Sequence, residues 1–192
     1  LFRQAKGVCP VMIGAELLSP ETLTAGWLIY VPVLIWAVAR VSWVELFSDR
    51  RRQHLLFGTV FALFALWLVR RDFDTGVSYH FIGMTAVTLL LDWPLAIVGG
   101  LVAQAGLVML GRQDLMAMGV NGTLFILLPV LITECCAILV ERAQPRNLFV
   151  YIFVSGFFAA ALTALLCLVL SLTLLWYDER FAMPYWLEDF IG

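Results

Sequence analysis

Between Asn147 and Tyr177 the chain reads NLFVYIFVSGFFAAALTALLCLVLSLTLLWY, 31 residues without one charge. About 20 apolar residues in a helix cross the hydrocarbon core of a bilayer. This run is longer than a crossing requires, so the helix is tilted or projects beyond the membrane at one end. The rest of the sequence has the same character. Hydrophobic residues make up 62% of the 192 positions and charged residues 14%, with a mean hydropathy of +0.95. Soluble domains carry about 25% charged residues. There is too little polar surface here to cover a water-soluble globule.

Working outward, charged residues divide the chain into further apolar pieces: Thr22–Ala39, Leu55–Val69, Val77–Leu91, Leu95–Leu110 and Thr123–Val140. Only helices or closed barrels satisfy the backbone in lipid, and these runs are too long and unalternating for barrel strands. The expected fold is therefore all-α, a polytopic membrane bundle of about six transmembrane helices without β-sheet. The helices are placed near 22–41, 54–71, 77–91, 94–110, 122–141 and 147–176. Ser19-Pro20-Glu21 reads as a helix start. Pro32 and Pro129 read as kinks. Asp92-Trp93-Pro94 reads as a tight break. Ala96, Gly99, Gly100, Ala103 and Gly106 form a small-residue stripe that admits a neighbouring helix closely. The segments 40–52 and 112–122 read as loops.

Residues 1–11 are assigned to an N-terminal tail, with Met12 as a second plausible start, and residues 12–192 to a single transmembrane domain. Tyr185 and Trp186 in the last stretch suit a membrane interface. Arg40, Arg50, Arg51 and Arg52 favour a cytoplasmic position for their loop, and six spans then put both termini outside; Arg142 and Arg146 agree with this, and Arg70 and Arg71 oppose it.

An ionisable or strongly polar side chain inside a span needs a reason. The candidates are His80, Asp92, Gln104, Asn121 and Glu134. His80 and Met84 are four apart and would share a helix face, where imidazole and thioether could hold a soft or borderline metal ion. The plainer alternative is an interfacial histidine bonded to a loop carbonyl. Glu134 reads either as a proton or cation site facing the bundle or as a glutamate near the helix end that snorkels or pairs with an arginine. Asp92 reads as a helix-end residue, Asn121 as a cap for the fifth helix, and His54 as solvated. Cys135, Cys136 and Cys167 lie in apolar runs and, with Cys9, do not form a disulfide framework or a CxxC knuckle. Nucleotide P-loop, Gly-x-Ser-x-Gly and His-Glu-x-x-His motifs are absent, so nothing supports an enzyme. A net charge of -2 provides no basic face for nucleic acid.

Three short elements resemble one family. Met12-Ile13-Gly14-Ala15-Glu16-Leu17-Leu18-Ser19-Pro20 resembles a start of the form Met-His-Ile-x-x-Gly-Phe-Leu-Ser-Pro. Val77-Ser78-Tyr79-His80 resembles a Ser-Val-His element, and Met118-Gly119-Val120-Asn121 a Leu-Gly-Ala-Asn element. Together they look like the CbiM/NikM-type cobalt and nickel permeases, the substrate-binding components of energy-coupling factor ABC transporters. The resemblance implies a multi-pass protein of the bacterial cytoplasmic (inner) membrane. It implies a divalent ion, Ni²⁺ or Co²⁺, as cargo, with no covalently bound cofactor. It also implies an ABC-type ATPase and a transmembrane coupling subunit as partners. The family grips the ion through the amine and backbone nitrogen of its N-terminal Met-His, that histidine's side chain and the Ser-Val-His histidine. The corresponding positions here are Met12, Ile13 and His80. Ile13 stands where the family has histidine, so the expected ligand set is His80 and Met12, completed by Met84 and solvent. The alternative is a non-transporting membrane subunit on the same scaffold. The family usually adds another spanning helix beyond the position of Gly192.

Overall fold

The computed structural model describes residues 13–69, 71–72, 78–79, 82–143 and 147–178. Seven helices dominate: α1 (Pro20–Arg40), α2 (Trp43–Ser48), α3 (Arg50–Leu68), α4 (Met84–Leu91), α5 (Trp93–Met109), α6 (Met118–Ala143) and α7 (Leu148–Tyr177). A 3-10 turn, Ala15–Leu17, precedes α1. The protein is a polytopic helical membrane protein. By length and composition α1, α6 and α7 can each cross a bilayer, and α5 is a shorter apolar helix of 17 residues. The short α2 lies between α1 and α3 with Trp43, Val44 and Phe47 exposed.

Helix ends follow local chemistry. Ser19 caps α1 by accepting from the Thr22 amide at 3.2 Å, with Pro20 at the first position. Asp49 caps α3 through the Arg51 amide at 2.8 Å. The 40–52 stretch expected as a loop is mostly helical, with extended backbone at Asp49, and Arg52 pairs with Glu45 at 2.8 Å across that break.

Contacts at the two ends of the bundle fix its direction. Trp36, near the end of α1, stacks on Trp93 at the start of α5, with ring centroids 4.5 Å apart. At the other end the Trp27 indole donates to the Met116 carbonyl in the α5–α6 connection at 3.1 Å. The expected stripe on α5 does face helices, but in two directions. A Cβ built on Gly99 would meet Val60 and one on Gly106 would meet Phe64, both on α3, while one on Gly100 would meet Ile126 on α6. The main apolar core joins Tyr30, Leu63, Trp67, Met84, Leu91, Leu107 and Ile126 across five helices.

Two further expectations are corrected. The third piece is not a helix from Val77. Arg71–Asp72 and Ser78–Tyr79 form a two-residue antiparallel ladder, and α4 starts only at Met84, after Gly83 with φ of 68°. Residues 118–122 are not loop but the first turn of α6. Just before Pro129, where a kink was expected, Thr123–Leu127 widens into a π-turn. There the Leu128 amide bonds to the Thr123 carbonyl, so in the same register Leu124 would need an N–H from Pro129, which has none. The Cys167 thiol on α7 donates to the Leu124 carbonyl instead, at 3.1 Å.

Asp92, joining α4 to α5, has φ of 67° and ψ of 157° and is the one non-glycine with positive φ among the described residues. That region is nearly exclusive to glycine and costs other residues on the order of 1–3 kcal/mol. Asp92→Gly should therefore stabilise the protein by roughly 1 kcal/mol after glycine's own entropic cost. A thermal unfolding midpoint in detergent that stays put or falls would show that the carboxylate itself holds the bend.

Candidate functional site

The site forms where α1 crosses the first turn of α6. A Cβ on Gly26 would lie 2.6 Å from the Val120 amide nitrogen, and one on Gly119 would lie 2.7 Å from the Trp27 amide nitrogen. Backbone therefore rests on backbone, and only glycine allows it. Gly122 completes the crossing beneath the ring of Tyr30, where a Cβ would meet ring carbons within 2.6 Å.

Buried hydrogen bonds hold this crossing to α5. The Tyr30 hydroxyl donates to Gln104 Oε1 at 3.1 Å, and Gln104 Nε2 donates to the Met118 carbonyl at 3.1 Å. Tyr30 and Gln104 are both fully buried. Each end of the Gln104 amide is thus satisfied, as a polar group in a dry interior requires.

Asn121 projects from the turn fixed in this way and is itself fully buried. Its Oδ1 accepts from the Ile13 amide at 3.0 Å, and its Nδ2 donates to the Ile13 carbonyl at 3.0 Å. One side-chain amide thus pairs with one residue's main chain from both sides, as a neighbouring strand would. Asn121 does not cap α6, whose N-cap is Ala117 without a side-chain bond. Around this pair Ile13, Leu18, Val120, Leu124 and Leu175 make a second apolar cluster. At the far end of the segment the Ser19 amide donates to Asp178 Oδ2 at 2.8 Å, and the Thr22 hydroxyl donates to Asp178 Oδ1 at 3.2 Å. A carboxylate at a helix N-terminus also meets the favourable end of the helix dipole. Residues 13–19 are held at one end by α6 and at the other by the end of α7.

A main-chain segment is thus held at one end of a membrane bundle, gripped by an asparagine from a Gly-Val-Asn turn. The sequence profile of the cobalt uptake substrate-specific transmembrane region, CbiM, matches residues 13–187. The chain belongs to the CbiM family. Two solved structures share its fold. One, described as a truncated transition metal transporter, superposes with a TM-score of 0.63 at 19% identity, covering 79% of this chain and 71% of its own. The other, a transition metal transporter, gives 0.61 at 20% identity, covering 79% of this chain and 66% of its own. No curated protein matches the sequence.

Within this CbiM fold the residues singled out from sequence fall in different places. Asn121 and the segment beginning at Ile13 come together. Met84 is fully buried in the main core, at the first position of α4. Helix begins only at Met84, after Gly83 with its positive φ. His80 and Met12 lie outside the described residues, as do residues 1–11 and 179–192. Glu134 is half-buried on α6, 13 residues beyond Asn121. At about 1.5 Å per residue that places it roughly 20 Å away along the helix. Among the described residues no group of three or more His, Cys, Asp and Glu side chains converges as metal ligands would. Sequence reading missed Tyr30, Asp178 and the backbone contacts of Gly26 with Val120 and of Gly119 with Trp27. Gln104 was flagged as costly, but without its partners.

Proposed function

We propose that this protein is the membrane permease subunit that binds a divalent transition-metal ion, of the cobalt or nickel type, and passes it on in an energy-coupling factor transporter. The observation that carries this reading is the Asn121–Ile13 pairing, which draws the stretch resembling the family's metal-binding start into one end of the bundle. Membership of a cobalt uptake family supports it. His80 is assigned as an ion ligand, with Met12 and Met84 as further candidates, and Asn121 and Glu134 as structural or pore residues. The chain itself is non-catalytic; an ABC-type ATPase and a transmembrane coupling subunit would supply the energy. The protein is placed in a bacterial cytoplasmic membrane with both termini outside.

The second reading is a non-transporting membrane subunit on the same scaffold, and Ile13 in place of the family's histidine favours it. Ni²⁺, Co²⁺ and Cu²⁺ affinities of the wild type and His80→Ala decide between the two. Wild type should bind at least one ion, more weakly than a site with the full nitrogen set. His80→Ala should lose on the order of 10-fold or more in affinity. Equal affinity removes His80 from the site. Absence of binding in the wild type selects the non-transporting subunit.

A further inference from the structure

We propose that Asn121 is a positioning residue for the cargo ion: by holding the main chain of Ile13 on both sides, it fixes segment 13–19 as one wall of the binding site. The proposal rests on the metal-binding reading above and adds to it a residue that need not touch the ion.

Both hydrogen-bonding functions of the Asn121 carboxamide are spent on Ile13, and both bonds are 3.0 Å long. Asn121 is buried completely and Ile13 to within 5%, so water cannot replace either bond. These two bonds read only the main chain of position 13, while the Ile13 side chain adds apolar packing in the cluster with Leu18, Val120, Leu124 and Leu175. Asn121 can do this because its own backbone is immobilised. Val120 is pressed on Gly26, Gly119 on Trp27 and Gly122 on Tyr30. Gln104 holds the Met118 carbonyl three residues earlier. The far end of the segment has a separate anchor in Asp178. Releasing Asn121 therefore frees the Ile13 end and leaves the Ser19 end attached.

The test uses the full chain in detergent, with Asn121→Leu, which is similar in volume but cannot hydrogen-bond, and Asn121→Asp, which keeps the acceptor and loses the amide donor. Two quantities are read: affinity for Ni²⁺ and Co²⁺, and amide hydrogen exchange of a peptide covering residues 13–18. In both variants the segment should exchange faster by on the order of 10-fold or more, while peptides from α3 and α5 keep their wild-type rates. Ion affinity should fall by on the order of 10- to 100-fold, as it does when the outer support of a metal site is removed. If Asn121→Leu does not fold, Asn121→Asp carries both measurements. Unchanged exchange in the segment overturns the clamp. Faster exchange with wild-type ion affinity overturns the positioning role. Both results differ from failure of the underlying reading, in which the wild type itself binds no ion.

Discussion

Gly119→Ala should abolish the folded bundle. The added methyl would sit 2.7 Å from the Trp27 amide nitrogen and 2.9 Å from its Cα. Side chains can rotate away from a new methyl; a helix backbone moves only if the helix moves. Ordinary overpacking costs about 1–3 kcal/mol, and a clash with main chain belongs above that range. Separating α1 from α6 would also pull Asn121 from Ile13 and stretch the Gln104 bonds. The measurement is yield of monodisperse protein and its unfolding midpoint in detergent. Gly58→Ala is the control: nothing lies within 4 Å of a Cβ there, and α3 should gain slightly from alanine's better helix propensity. If Gly119→Ala unfolds at the wild-type midpoint, the backbone crossing is wrong.

Gln104→Leu should cost about 2–4 kcal/mol: it leaves the buried Tyr30 hydroxyl unpaired, at about 1–3 kcal/mol, and removes the side-chain bond to the Met118 carbonyl, at about 1 kcal/mol. That carbonyl, in the first turn of α6, still accepts from its own helix. The size of the loss comes from stranding the hydroxyl more than from the bonds themselves. Interhelical hydrogen bonds in membrane proteins couple by only about 0.6 kcal/mol on average, because a chain unfolded within the membrane also finds partners. A double-mutant cycle separates the two effects. Tyr30→Phe should be costly alone and nearly neutral in the Gln104→Leu background, since the hydroxyl it removes is already orphaned there. Additive losses would show that the two side chains do not act on each other.

The helical bundle was legible because lipid forces every spanning backbone to bond within itself, and the run from Leu148 to Tyr177 has no other way to do so. Packing on α5 was legible too, since glycines at helical spacing have a direct steric meaning. Gly119 and Gly122 misled for the opposite reason. Two glycines beside an asparagine resemble a turn in water, whereas here they form the surface on which α1 lies. Asn121 as a cap was the local interpretation of its type. Its actual partner is 108 residues away, and that of Ser19 on Asp178 is 159 away. No periodicity encodes such pairs. They arise once the helices have assembled and a polar group must find a partner within reach. The start of α4 was misplaced because Val77 to Leu91 is apolar enough for a helix, while Gly83, free to take positive φ, ends that possibility locally.

Main chain pressed on main chain, as at Gly26 and Gly119, leaves nothing that can rearrange, so α1 and the head of α6 move as a single strut. The side of α7 packed toward the bundle is different. Ser155, Ala159, Thr163, Cys167 and Ser171 recur there every fourth residue and are all buried. The hydroxyls of Ser155, Thr163 and Ser171 have no hydrogen-bond partner among the described residues. Cys167 reaches α6 through a thiol, a weak donor. Small side chains and one soft bond resist sliding far less than interlocked glycines do. The bundle therefore has a stiff wall and a compliant one, and segment 13–19 is strung between them, tied to the first by Asn121 and to the second by Asp178. Any displacement of α7 along α6 puts that short span under tension.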